Sequence, residues 1–160
     1  MNASLELILA IRRGVHYVGG GFKSERHFLD FSINGESLWA KIGQARDLVS
    51  ILCFEYVVEE VLKDMRRLLL AEDAEILGDR HPIFICSECG DLGCGAITAH
   101  VVREGETIVW KDFGFENNYD EGILLEDYKH VGPYVFEWEQ YERTLRHAIG
   151  TLKQGLPRST

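Results

Sequence analysis

Three cysteines fall close together as Cys86-x2-Cys89-x4-Cys94, with Asp91 between the last two and glycines at 90, 93 and 95. Thiolates at that spacing suit two kinds of chemistry. A C-x2-C turn can bring two sulfurs to about 2.3 Å from a tetrahedral zinc ion, and Cys94 offers a third. A fourth ligand would have to come from Cys53, His81 or His100, none of which stands at a characteristic spacing. Cys86 and Cys89 also make a C-x-x-C pair of the redox type. The nucleophilic thiolate of such a pair ordinarily sits at a helix N-terminus, which lowers its pKa, whereas this pair closes an apolar run that reads as a strand. The plainest alternative is a stiff loop between two strands. In it the glycines take up crowded backbone, Asp91 accepts amide hydrogen bonds, and the free cysteines pack as small hydrophobes.

Other catalytic constellations are thinner. His100 and Asp112 could approach each other across adjacent antiparallel strands as an acid–base pair; a solvent-facing histidine opposite a turn-capping aspartate is the simpler expectation, because no nucleophile accompanies them. The tripeptide Asp112-Phe113-Gly114 matches a kinase metal-binding motif in letters only, since no glycine-rich nucleotide loop or H-R-D segment is present. Gly19 to Gly21 lack the lysine and hydroxyl of a phosphate loop. Ser50 and Ser87 have no nucleophile-elbow setting.

The charge is unevenly spread. The 160 residues carry a net charge of -9, which argues against nucleic acid as a partner. From Asp112 to Glu142 there are nine acids and a single base, Lys129, interleaved with eight of the seventeen aromatic residues. The plain reading is a solvated face over a buried aromatic core. The functional one is an acidic patch that meets a basic protein, with Asp112, Glu116, Tyr119, Asp120, Glu121, Glu126, Asp127 and Tyr128 as the contact residues. Aromatic anchors would supply contact energy and complementary charge would speed encounter.

The elements that must position these groups follow from periodicity. Leu5, Leu7, Leu9 and Ile11 recur at period two and predict a strand with a largely buried face, a helix being the alternative. Residues 27–33 and 36–40 predict a hairpin turned by Asn34-Gly35. The stretch 45–56 is apolar and reads as a short helix or a packed loop. Residues 54–71 predict a helix, with Phe54, Val57, Val58, Val61, Leu62, Met65, Leu68 and Leu69 on one face. Three antiparallel strands follow at about 82–86, 95–102 and 107–115, then an extended piece at 133–138 and a second helix over 138–153. The sum is one α+β domain, in which an antiparallel sheet (N-terminal strand and hairpin plus a C-terminal three-stranded meander) packs with two main helices. The first twenty residues lack a basic leading region and are interrupted by Glu6 and Arg12, so neither a secretory signal nor a membrane span is expected. Four cysteines without a scaffold pattern suit a reducing cytoplasm.

The segments ICSECGDLGCGAITAHV, IVWKDFGFEN and VGPYVFEWEQYERTL, with FSINGESL upstream, resemble a family of small bacterial proteins that share a cysteine-rich CGDLGCG loop and a W-x-D-F-G strand. Some members carry the label oxidoreductase; what the resemblance implies is a shared fold. The sequence thus leads to an acidic cytoplasmic binding protein of the immunity type, without a cofactor, that occludes a basic toxin or effector domain. The alternative is a metal-dependent or redox enzyme centred on Cys86, Cys89 and Cys94, with zinc as the metal.

Overall fold

Residues 5–33 form one long hairpin. β1 (Leu5–Arg12) runs antiparallel to β4 (Arg26–Ile33) in unbroken register from Leu5↔Ile33 to Arg12↔Arg26. Beyond that root, β2 (Val15–His16) pairs with β3 (Phe22–Lys23) to extend an arm. The arm turns at Gly19, Gly20 and Gly21, whose φ angles of 93°, 108° and 85° only glycine adopts without strain. Asn34 and Gly35, both at positive φ, then make the two-residue turn that the sequence predicts. The following strand β5 (Glu36–Ser37) is shorter than expected. Buried Asp30 accepts hydrogen bonds from the Ser37 hydroxyl and the Trp39 amide, which pulls the chain away from the sheet into helical turns at Trp39–Gly43 and Gln44–Arg46.

This computed structural model describes residues 2–73, 80–90, 94–117 and 122–156. A second, five-stranded antiparallel sheet has the order β10-β9-β8-β7-β6. Its members are β6 (Leu48–Ser50), β7 (Arg80–Cys86), β8 (Ala96–Glu104), β9 (Thr107–Glu116) and β10 (Tyr134–Glu137). The expected meander is therefore its middle, and β6 and β10 flank it. The two sheets are stitched at both sides. The Ala3 amide donates to the Val135 carbonyl at 2.6 Å, while Leu29 donates to Leu52 and Phe54 to His27.

The shared core is apolar and aromatic. Fully buried Trp110 meets Phe31, Phe136 and Tyr141 edge to face, at ring separations of 5.2, 5.5 and 6.1 Å. α1 (Val58–Leu68) begins later than 54, because residues 54–56 form a turn closed by the Tyr56 amide donating to the Cys53 carbonyl and Val57 is extended. It buries Val61, Met65 and Leu68, and Glu59 and Glu60 in its first turn and Arg66 and Arg67 in its last complement its dipole. α2 (Trp138–Gln154) buries Tyr141, Leu145, Ala148 and Leu152. The face of β1 that was expected to be buried is covered only in part: Leu5 is buried and Leu7 half-buried, but Leu9 is 49% and Ile11 41% exposed. No helix among the described residues is long and apolar enough to cross a membrane.

Candidate thiol centre

β7 ends at Cys86, the chain turns with the Gly90 amide donating to the Cys86 carbonyl at 3.0 Å, and Cys94 sits just ahead of β8. Gly90 has φ +67°, and a Cβ there would lie 3.3 Å from the Tyr56 ring. Conformation and space both demand glycine, so Tyr56 forms the wall that tightens the turn. Its hydroxyl donates to the Cys86 carbonyl at 2.6 Å; burial pushes that hydroxyl's pKa well above the ordinary tyrosine range.

The result is convergence. The sulfurs of Cys86, Cys89 and Cys94 all lie within 4.8 Å of one another, and those of Cys89 and Cys94 are 2.9 Å apart. Ligands about 2.3 Å from a tetrahedral ion stand roughly 3.8 Å from each other; Cys89 and Cys94 are closer than that and would have to part by about 1 Å for all three sulfurs to hold one metal ion. The closest pair is C-x4-C, not the C-x2-C that the sequence suggests as a redox couple. Cys86 is half-buried, and Cys89 and Cys94 are exposed. None of the three candidate fourth ligands joins the cluster among the described residues, and Asp91 lies outside those residues. Cys53 is buried, and burial pushes its thiol up to about 12, so it stays protonated and is a poor metal ligand.

A set of charges ties this loop to the hairpin arm, and the sequence carried no signal for it. Arg12, whose side chain is only 6% exposed, donates to Glu88 at 2.9 Å and forks onto both carboxylate oxygens of Asp47 at 3.0 and 2.9 Å. It also donates to the Ser24 carbonyl. Lys23 pairs with Asp47 at 2.6 Å. Arg26 donates to the Ser87 and Glu88 carbonyls. Burial opposes ionisation of Asp47 and Glu88, but Arg12, helped by Lys23 at the first and the Ser24 amide at the second, outweighs it and holds both carboxyls below their usual range.

The residues expected to form an acidic docking patch are divided. Asp112 accepts from His100 Nδ1 at 3.0 Å, so the cross-strand pair does form. Asp112 takes φ +54° where the β8–β9 register slips between Thr98 and His100, and such a bulge re-aims its side chain. Glu116 is half-buried, accepts from Thr98 at 2.6 Å and lies 3.4 Å from buried Arg80. Tyr128 is buried, and its hydroxyl accepts from Arg46 at 2.6 Å. Glu126 and Asp127 are exposed, the former paired with Lys129. Tyr119, Asp120 and Glu121 lie outside the described residues.

Compared with known protein families, with curated proteins and with solved structures, the chain matches none.

Proposed function

We propose that this is a zinc-thiolate protein whose functional centre is the Cys86, Cys89 and Cys94 loop. The observation that carries the reading is the convergence of three sulfurs within 4.8 Å on the molecular surface. Zinc held there would supply a Lewis-acidic position open to an outside ligand. The chain's own part is to hold the thiols: the Tyr56 wall fixes the turn at Gly90, and Arg12 and Arg26 anchor the residues between Cys86 and Cys89 through the Glu88 carboxylate and the Ser87 and Glu88 carbonyls. Exposed Cys89 and Cys94 suit a reducing, cytoplasmic setting. Elemental analysis of protein purified without chelator tests the reading. One zinc per chain, lost in Cys89→Ser and Cys94→Ser, is expected. Metal-free protein that also fails to take up added zinc would overturn it.

A second reading is favoured by the exposure of Glu126, Asp127, Glu137 and Glu139. It is a binding protein of the immunity type that occludes a basic toxin or effector domain, held by complementary charge. A salt-sensitive complex with a cationic partner is expected. The reading fails if changing Asp120, Glu121, Glu126 and Asp127 together to lysine leaves that binding as it was.

A further inference from the structure

Along β1 the backbone polar groups alternate between β4 and the open side of the sheet. The side chain of Gln140 settles which is which. It accepts from the Leu5 amide at 3.3 Å and donates to the Leu5 carbonyl at 2.7 Å, so Leu5 faces away from β4. Ser4, by contrast, exchanges hydrogen bonds with Asn34 on the β4 side. Leu7, Leu9 and Ile11 share the parity of Leu5, and their N–H and C=O groups therefore line an open edge. In effect the Gln140 amide occupies the first position of a missing strand.

Beside that edge lies a groove of about 550 Å³ between β1 and α2. Leu7 and Leu29 form its apolar base, Arg143 and His147 stand one helical turn apart on its α2 wall, and Glu6 lies at its margin. Both α2 residues are exposed, and no ion pair engages either among the described residues. The neighbouring carboxylate on α2, Glu142, pairs instead with Arg146 at 3.3 Å. Exposed Leu9 and Ile11, on the same face of β1 as Leu7, carry the apolar surface on from the groove.

We propose that this edge and groove bind an extended peptide segment with apolar residues at alternate positions and a side-chain carboxylate that meets Arg143 and His147. The backbone of the segment would continue the sheet from the place Gln140 marks, as in β-strand addition, and its apolar side chains would cover Leu7 and Leu29. Charge disfavours a second copy of this chain in the register that pairs β1 most fully. Two β1 strands paired antiparallel about Leu9 would bring one copy's Arg13 level with the other's Leu5, beside Arg143, cation against cation.

The test is to pan a random dodecapeptide library on the whole protein and resynthesise the recovered peptides. Enrichment of acidic peptides with alternating apolar residues is expected. Their affinity should fall at least tenfold with Arg143→Glu and with N-methylation of alternate peptide amides, and the Leu7, Leu9 and Ile11 amides should become protected from hydrogen exchange when peptide is bound. Three outcomes would overturn the proposal: no enrichment over bare support, equal binding by Arg143→Glu and by N-methylated peptide, or a peptide-free dimer whose β1 amides are already protected. Arg143 is exposed, and a circular dichroism spectrum of Arg143→Glu matching the parent separates lost binding from lost folding.

Discussion

Arg12 and Glu88 stand 2.9 Å apart, joining the root of the hairpin arm to the residue just ahead of Cys89. Because Arg12 is buried and also forks onto Asp47, the arm and the thiol loop form one electrostatic unit.

Replacing Arg12 by methionine keeps most of its packing volume but leaves two carboxylates without their main cation. Both are partly exposed, at 40% and 44% of their side-chain surface, so water recovers part of the loss, and a destabilisation of about 2 kcal/mol is expected. Urea unfolding measures it. A midpoint shift within error of zero would show that the arm is held by its strand pairing alone.

The same carboxyls set an acid limit. Asp47 and Glu88 are held below their ordinary values of 3.8 and 4.5, so they contribute stability that is complete above those values and disappears as pH falls through the lower folded-state ones. Asp30, raised by burial against the hydrogen bonds from Ser37 and Trp39, works in the opposite direction but is common to parent and variant. The stability gap between the parent and Arg12→Met should therefore narrow below about pH 4.5. A gap that stays constant from pH 7 to pH 3 would contradict the assignment.

The four thiols should separate by reactivity. With metal removed, iodoacetamide at pH 8 is expected to modify exposed Cys89 and Cys94 first and Cys86 more slowly. Cys53, buried and pushed up to about 12, should react only on unfolding. Mass spectrometry of timed samples reads the order, and added zinc should suppress the first three without affecting Cys53. Early labelling of Cys53 would mean that the cluster of Phe28, Val49 and Cys53 opens in the native state.

Tyr141 is fully buried and ties three elements together: its hydroxyl donates to the Leu68 carbonyl at 2.6 Å and accepts from Trp110 Nε1 at 3.2 Å. Tyr141→Phe preserves the ring stacking but strands a donor and an acceptor in the core, at a cost of about 2–3 kcal/mol. Thermal unfolding provides the measurement, and an unchanged midpoint would indicate that water reaches the site.

Much of this was readable from the chain where local rules dominate. Asn34-Gly35 fixes its own turn, the apolar stripe of α1 has a single helical solution, and the cysteines are too close in sequence to avoid one another. β6 was missed because Leu48, Val49 and Ser50 are all buried, so a three-residue strand shows no alternation to recognise. The exposure of Leu9 and Ile11 was missed for a different reason: period-two apolarity shows that a strand has an apolar face, while only the reach of α2 decides how far it is covered. The partners of Glu88 were beyond sequence reasoning, since an arginine 76 residues away leaves no spacing to read. Acidity in the segment after Asp112 was plain, but its distribution between solvent and internal partners such as His100, Arg80 and Thr98 depended on register.

The stitching of Ala3 to Val135 and of Leu5 to Gln140 has a consequence for biosynthesis. β1 is completed by contacts with elements that lie more than a hundred residues later in the chain, so its Leu5 edge stays open during synthesis until those elements emerge. These contacts can close only once α2 is available, and until then the apolar flank of the hairpin stays open to other chains.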